Sequence, residues 1–231
     1  MRILPLLIAA LFSAQVPVAP DASQLYFVAL LRPVHDHKPL SDGEAERIQT
    51  AHMANVQKMA GEGVLVAAGR MDDRTATISG IFILKVASHA DAKRIADQDP
   101  TVVERRNNID VHAWRGPAGI GDEYFCYAKE HPGENPHMAG HALCIFLRGP
   151  ARQSAGSPNA HLEWIDRMRV QDKLAAAGPV EDDSKMASIA IFKVDSFGDA
   201  DKLVREDPAV KSGELLPEMH LWWCADRVLP W

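Results

Sequence analysis

The chain of 231 residues is 47% hydrophobic and 24% charged, a composition typical of a folded globular protein rather than of a disordered one. Its formal net charge is −6 at pH 7, and its Lys and Arg residues form no cluster in the sequence. Nucleic acid is therefore not an expected partner, because affinity for nucleic acid depends on clustered basic side chains that neutralise phosphates.

Residues 1–22 are predicted to be a secretory signal peptide. Arg2 precedes a short uncharged run rich in Leu, Ile and Ala, and small residues and Pro follow as far as Ala22, which is the pattern of a cleavable export signal. Ser13 interrupts the apolar run well before the roughly 20 residues that a membrane-spanning helix needs. The mature protein is therefore expected to be secreted or periplasmic, with no membrane association after cleavage.

The rest of the chain contains the same pattern twice, in the same order and at a nearly constant offset. The recurring landmarks, with the first copy named first, are His52 and His161, Ala68-Gly69 and Ala177-Gly178, Ile81–Val86 and Ile189–Val194, and Asp99-Pro100 and Asp207-Pro208. We therefore divide the mature chain into module 1 (residues 23–116), a connector (117–140) and module 2 (141–231).

Module 1 begins with a continuous apolar run, Tyr26–Leu31, as expected for a strand that is covered on both faces. Ser41 and Glu44 then have the spacing of a capping box, which opens a helix. The helix is expected to end at the Gly-rich residues 61–63. A second strand follows, and a turn at Gly69 is expected to close it.

The second half of module 1 is predicted to begin with the strand Ile81–Val86, followed by a helix with Ser88 as its N-cap. This helix should stop at Asp99-Pro100, because the residue before Pro is disfavoured in the α conformation. A last strand follows at Ile109–Trp114, and module 2 repeats all of these elements. The order βαββαβ is the ferredoxin-like α+β unit, whose sheet has helices on one face only. We expect the two sheets to close face to face into an intramolecular barrel that encloses a chamber.

A set of motifs connects both modules to a known family. In module 2 the set consists of His161, Ala177-Gly178-Pro179, Asp182, Ser196, Asp207-Pro208 and Trp222. The set resembles the YCII-related (YciI-like) family of dimeric α+β barrel proteins, and module 1 departs from it at Arg70, where the family has Pro. The resemblance implies two tandem YCII-like modules that form a barrel as a pseudo-dimer. It also implies a His-Asp pair as the active site of each module.

Two His-Asp pairs are the candidate catalytic residues. His52 and His161 lie on the apolar stripe of the first helix of each module, and Asp73 and Asp182 follow the Gly turns that could return a carboxylate to them. A carboxylate bonded to one imidazole nitrogen fixes the tautomer and makes the other nitrogen a better base. The alternative is a core histidine that a structural carboxylate satisfies.

The last strand of each module repeats an alternating pattern of an acid, a His and a Trp. The members are Asp110, His112 and Trp114 in module 1 and Glu218, His220 and Trp222 in module 2. Because side chains alternate along a strand, the three members share one face. If that face points into the barrel, the His and Trp side chains are expected to bind substrate; if it points outward, it is a solvated face.

Arg32 and Arg148 end the first strand of their modules and are further candidates for substrate binding, since a guanidinium group can orient an anion. Exposure at the end of a strand is the alternative interpretation.

The three cysteines, Cys126, Cys144 and Cys224, allow either a single disulfide such as Cys144 to Cys224 or buried thiols.

No cofactor and no metal are expected, because the sequence contains no nucleotide, hydrolase or metalloprotease motif. Several other histidines lack the spacing of an established metal site; these are His35, His37, His131, His137 and His141. A metal-binding protein would require these loop histidines to converge.

The sequence thus predicts an exported protein that binds a small organic molecule, cyclic or carbonyl-bearing, and transfers protons through His-Asp pairs. Elimination, isomerisation and hydrolysis all suit one positioned base. The alternative is a noncatalytic module that binds a small molecule or has a structural role. Further association into a homo-oligomer is compatible with either function.

Overall fold

The computed structural model describes residues 23–36, 38–72, 77–150, 159–182 and 185–230. The predicted signal peptide, residues 1–22, lies outside these ranges, so export stays a prediction. Among the helices within these ranges, none combines the length and the apolar character needed to cross a membrane.

Within the described ranges, each module has four strands and three helices, the last of which is short. The strands of module 1 are β1 (Ser23–Pro33), β2 (Leu65–Met71), β3 (Gly80–Leu84) and β4 (Asn107–Pro117), and its helices are α1 (Asp42–Gly61), α2 (His89–Ala96) and α3 (Pro100–Val103). The predicted capping box is present, because the Ser41 hydroxyl accepts from the backbone of Glu44 and the Glu44 carboxylate accepts from the backbone of Ser41.

The connector and module 2 follow the same scheme with one addition. The connector contains helix α4 (Asp122–Glu130), and the strands of module 2 are β5 (Met138–Arg148), β6 (Leu174–Pro179), β7 (Met186–Phe192) and β8 (Leu215–Ala225). The helices of module 2 are α5 (Ala160–Val170), α6 (Phe197–Glu206) and α7 (Pro208–Lys211). Tyr124 and Phe125 of α4 pack against the apolar core between the two sheets.

The eight strands form one antiparallel sheet in the order β4-β1-β3-β2-β8-β5-β7-β6. The module 1 sheet joins the module 2 sheet where Gly69–Met71 pairs with Trp222–Cys224. At the other edge, β4 meets β6 through a bridge between Trp114 and Val180 and a hydrogen bond from the Glu181 amide to the Ala113 carbonyl, 2.8 Å long. The sheet is thus a nearly closed barrel, which confirms the predicted α+β pseudo-dimer.

The interior of the barrel is filled with apolar side chains from both modules, and this differs from the expected chamber. Val28 and Leu30 of β1 meet Leu143 and Ile145 of β5 there, and all four are buried. Close packing of this kind is normal for a small barrel, whose lumen is just wide enough for side chains to fill. The pattern of apolar residues predicted which face is buried, but it could not predict how completely the side chains fill the space.

The outer face of each half-sheet is covered by the helices of its own module. In module 1, Phe27 and Phe82 pack with Met59 of α1. In module 2, Phe146 and Phe192 pack with Trp164 of α5. The histidines of the first helices therefore lie between helix and sheet, outside the barrel.

Gly69 and Gly178 do not form the predicted turns. Both lie within strands, at the two places where one module's sheet meets the other's. A Cβ atom at Gly178 would lie 1.8 Å from the carbonyl oxygen of Arg115, and one at Gly69 would lie 2.0 Å from the carbonyl oxygen of Trp223. Glycine is needed there because the two backbones approach too closely for any side chain.

The three cysteines are unpaired, so the disulfide considered from the sequence is not formed. Cys144 is buried on the helical side of the sheet, whereas Cys224 is buried inside the barrel. Because the sheet separates the two side chains, they cannot reach each other, and the interpretation as buried thiols is correct for this pair.

Candidate active site

His52 of module 1 forms a hydrogen-bonded pair with Asp99. The imidazole lies on α1, and its Nδ1 is 2.8 Å from Oδ2 of Asp99. The side chain of Asp99 is completely buried, while that of His52 is 18% exposed. Because an ionised carboxylate can only accept, Nδ1 carries the proton and Nε2 presents its lone pair.

Asp99 is held in place by its role as a helix cap. It is the N-cap of α3, and its Oδ1 accepts hydrogen bonds from the backbone amide and the hydroxyl of Thr101, at 3.0 and 2.6 Å. Its Oδ2 also accepts from Nδ2 of Asn55, at 3.2 Å. One carboxylate oxygen thus caps the helix and the other orients the imidazole.

Asp99 is ionised in this environment. Burial alone would raise the pKa of its carboxyl, but hydrogen bonds from His52 and Thr101, together with electrostatic attraction to His52, lower the pKa below its ordinary value of 3.8. A buried charge of this kind is tolerated only because several donors surround it. The negative charge is therefore a permanent feature of the site at neutral pH.

Module 2 repeats the pair with a tighter geometry. Nδ1 of His161 on α5 is 2.6 Å from Oδ2 of Asp207, whose side chain is completely buried while that of His161 is 13% exposed. Asp207 is the N-cap of α7 and accepts from the backbone amide of Ala209 at 2.9 Å. The second imidazole nitrogen, Nε2, lies 2.7 Å from the hydroxyl of Ser188.

Asp182, the predicted partner of His161, was wrong. Asp182 does not reach His161; its Oδ2 accepts from the backbone amide of Ala113 in module 1, at 2.7 Å, and lies 3.7 Å from Nε2 of His89. Asp182 therefore belongs to the junction between the modules. Asp73, the predicted partner of His52, lies outside the described residues; within them, Asp99 pairs with Nδ1 of His52.

The acid-His-Trp pattern of the last strands faces into the barrel, so the inward alternative is the correct one. Trp114 and Trp222 are completely buried in the interior core. His112 pairs with Val28 and His220 pairs with Leu143, both interior residues. The Trp and His side chains of this pattern therefore lie on the interior side of the sheet, opposite the face that the helices with the His-Asp pairs cover.

The acids near the start of β4 and β8 have different partners, and among the described residues only Glu218 makes a hydrogen bond to the other module. The Glu218 carboxylate accepts from the Thr77 hydroxyl at 2.8 Å and lies 3.3 Å from Nε2 of the buried His220. The hydrogen bond from His220 and that from Thr77 lower the pKa of Glu218, although burial raises it. Asp110 pairs with Arg32 at 2.6 Å.

Arg32 and Arg148 do not occupy equivalent positions in the two modules. Arg32 lies opposite Asn108 on the strand pair β1-β4, and its guanidinium is occupied by Asp110. Arg148 is exposed and lies opposite Leu215. In the two strand pairings the position equivalent to Arg32 is that of Leu147, so Arg148 lies one residue further along its strand.

Among the described residues, no group of three or more His, Cys, Asp and Glu side chains is arranged to hold a metal ion. His37, one of the loop histidines, lies outside the described residues. Nδ1 of His131 donates to the Tyr127 carbonyl of its own helix, at 3.0 Å, and the His131 ring stacks on Tyr127.

Comparison with known families reflects the duplication. The YCII-related domain matches residues 27–111 and, a second time, residues 123–216. The chain belongs to the YCII-related family. Its two YCII-related modules each contain one of the His-Asp pairs described above. No significant sequence match to a curated protein was found.

Solved structures with the same fold include chlorite dismutases. A variant of the enzyme from Candidatus Nitrospira defluvii aligns with a TM-score of 0.57 at 10% identity, covering 89% of this chain and 94% of that chain. A candidate chlorite dismutase aligns with a TM-score of 0.52 at 8% identity, covering 90% of this chain and 95% of that chain. At this level of identity the likeness establishes the shared fold of the YCII-related chain and these proteins, and no more.

Asp99 and Asp207 are the residues of the site that sequence reasoning missed. Their signal was present, since the Asp-Pro dipeptide recurs in both YCII-related modules, but it was interpreted only as a helix stop. Asp before Pro is also a favourable N-cap followed by Pro at the first helical position. A capping carboxylate uses one oxygen for the helix, so its second oxygen is available for a histidine.

Proposed function

We propose that the protein is an exported enzyme that binds a small organic molecule and transfers a proton at Nε2 of a histidine held by a buried aspartate. The observation that supports the proposal most directly is the 2.8 Å contact between His52 Nδ1 and Asp99, combined with the partial exposure of the imidazole. A structural histidine pair needs no exposed nitrogen, whereas a base does.

The chemistry follows from the roles of the two imidazole nitrogens. Asp99 holds the proton on Nδ1, so Nε2 is an acceptor that can take a proton from a ligand. When Nε2 is protonated, the ionised carboxylate stabilises the imidazolium, and the same nitrogen can return the proton at a second atom. Elimination, isomerisation and hydrolysis each require such a group.

The charge around the site suits a neutral or weakly charged ligand. Asp99 is the anion of the pair, and its charge is already shared among His52, Asn55 and Thr101. Neither Arg32 nor Arg148 is among the hydrogen-bond partners of His52 and Asp99. We therefore expect recognition by shape and by the proton donor or acceptor at the reacting atom.

The test uses the mature protein and a library of small carbonyl compounds, hydroxy acids and cyclic metabolites. Compounds that raise the unfolding midpoint of the wild type, as ligands do by mass action, are then tested for turnover. His52→Ala should abolish turnover, and Asp99→Asn should reduce it strongly while retaining the imidazole. His35→Ala, which removes an exposed loop histidine, is the matched control and should behave as the wild type.

Turnover that survives in both His52→Ala and the double variant His52→Ala/His161→Ala would contradict the proposal. Export is tested separately by expressing the full chain with a C-terminal tag and sequencing the N-terminus of the product. Cleavage within or at the end of residues 1–22 is expected. A product that retains Met1 in the cytoplasm would contradict export without affecting the proposed chemistry.

A noncatalytic role has one specific observation in its favour, which concerns module 2. Both imidazole nitrogens of His161 already have hydrogen-bond partners, Asp207 and Ser188. That arrangement is typical of a satisfied core histidine. It distinguishes module 2 from module 1.

A further inference from the structure

The two His-Asp pairs differ at the imidazole nitrogen that would do the chemistry. In module 2, Nε2 of His161 lies 2.7 Å from the Ser188 hydroxyl. Within the described ranges, Nε2 of His52 has no hydrogen-bond partner. The exposed fractions of the two imidazoles are similar, 18% for His52 and 13% for His161, so the hydrogen bond is the larger difference.

The difference coincides with a difference at one pair of equivalent positions, Gly80 and Ser188. Ser188 on β7 immediately precedes Ile189, which points into the barrel, and Gly80 on β3 immediately precedes its counterpart Ile81. Ser188 pairs with Phe146 of the first strand of its module, and Gly80 pairs with Leu31. Module 1 therefore has a hydrogen atom at the place where module 2 has a hydroxymethyl group.

The direction of the Ser188 hydrogen bond follows from the pair behind it. Asp207 accepts the Nδ1 proton of His161, so Nε2 is an acceptor and the serine hydroxyl donates to it. Ser188 is only 3% exposed, which means that solvent does not compete for this contact. The lone pair needed for proton transfer is thus occupied inside the protein.

We propose that residues 80 and 188 decide which imidazole is reactive: Gly80 leaves Nε2 of His52 open to the O–H group of a small organic ligand, and Ser188 supplies that hydroxyl internally to His161. The inference rests on the proposed function of module 1. It adds that module 2 is masked, that Ser188 is a positioning residue, and that the ligand carries a hydroxyl group.

Reactivity toward diethyl pyrocarbonate tests the masking without any ligand. The reagent transfers a carbethoxy group to an accessible, unprotonated imidazole nitrogen, and peptide mass spectrometry locates the product. In the wild type, His52 should react about tenfold faster than His161, which corresponds to the cost of breaking one hydrogen bond to the attacking nitrogen. Ser188→Ala should raise the rate at His161 to that at His52.

The reciprocal change is made at position 80. Gly80→Ser should slow the reaction at His52 about tenfold, again by one hydrogen bond, whereas Gly80→Ala adds a methyl group without a hydroxyl and should leave the rate close to that of the wild type. A Cβ at this position lies 3.0 Å from the carbonyl oxygen of Gly69, so both variants require the same small shift of the backbone. The Ser188→Ala result stands independently if neither variant folds.

The outcomes separate the two proposals. If His52 is unreactive in the wild type, the open base of the proposed function does not exist. If His52 reacts but His161 reacts equally fast, or if Ser188→Ala leaves His161 slow, only the masking by Ser188 is overturned.

The hydroxyl of the ligand is tested with compounds that raise the unfolding midpoint of the wild type. Their O-methyl ethers should lose the shift, and Gly80→Ser should lose it with the parent compounds. An ether that keeps the full shift would overturn the assignment of the ligand class.

Discussion

The indole nitrogen of Trp114 in module 1 donates a hydrogen bond to the carbonyl oxygen of Gly178 in module 2, across 3.1 Å. Its counterpart, Trp222, lies against Gly69 at the other junction of the sheets. Nε1 of Trp222 is buried and has no hydrogen-bond partner among the residues described. The two junctions that close the barrel are therefore unequal, although the same residue types form them.

We expect Trp114→Phe to destabilise the protein more than Trp222→Phe does. Both variants remove part of a buried ring, but only Trp114→Phe also breaks a hydrogen bond of the indole nitrogen, which costs about 1 kcal/mol. Urea unfolding followed by far-UV circular dichroism measures the difference. An equal or larger loss in Trp222→Phe would show that the Trp114 hydrogen bond does not stabilise the junction.

Gly178→Ala is expected to prevent closure of the barrel at the junction of β4 and β6. The added Cβ would lie 1.8 Å from a backbone oxygen, and since backbone must move to relieve the overlap, the loss should reach about 3 kcal/mol or more. Gly43→Ala is the control, because nothing lies within 4 Å of its Cβ and Ala favours a helix. A Gly178→Ala variant as stable as the wild type would contradict the close approach.

The fold could be predicted largely from the repeat and from strand patterns. Two βαββαβ modules, each with one apolar face left over, have few ways to bury those faces. The Gly positions were assigned to turns because strand residues rarely need Gly. Only the pairing across the module boundary reveals that Gly69 and Gly178 face a neighbouring backbone.

The site was predicted in part. His52 and His161 were recognised because a polar side chain recurs on the apolar stripe of both first helices. Their partners could not be chosen from the sequence, because several carboxylates follow each helix, and helix packing decides which one returns to the imidazole. The masking by Ser188 depends on a contact between a helix and the third strand, which no local pattern contains.

The carboxylate of Asp99 should make the stability of the folded protein decrease at low pH. Its pKa is lowered in the folded protein, so the unfolded chain binds its proton first as the pH falls, and stability decreases below the unfolded pKa of about 4. The stabilisation by ionised Asp99 is complete above the unfolded pKa. It is lost as the pH falls through the lower pKa that Asp99 has in the folded protein.

Asp99→Asn should therefore have a flatter pH dependence than the wild type between pH 5 and 2, and should be about 1–3 kcal/mol less stable at pH 7, where a buried hydrogen-bonded charge is lost. Urea unfolding at a series of pH values measures both effects. Asp36→Asn, on an exposed loop, is the control. A slope in Asp99→Asn equal to that of the wild type would mean that another carboxylate causes the acid sensitivity.

Only one of the three thiols should react with a thiol reagent in the native state. Burial raises the pKa of Cys224 to about 12. Burial also raises the pKa of Cys144, and the nearby negative charge of Asp207 adds to this effect. Cys126 is exposed on α4. Ellman's reagent at pH 8 should release one equivalent rapidly from the native protein and three in guanidinium chloride, because the thiolate is the nucleophile. Native Cys126→Ser should release none, and rapid release from that variant would contradict the burial.

Joining the halves of the barrel in one chain replaces an association between molecules with a loop closure. Residues 117–140 keep the two sheets at a high effective concentration, so dilution does not separate the two halves of the barrel as it would separate the subunits of a dimer. A substitution in this chain also occurs once, whereas in a symmetric dimer it would occur twice. Each half can therefore accumulate changes that the other could not tolerate.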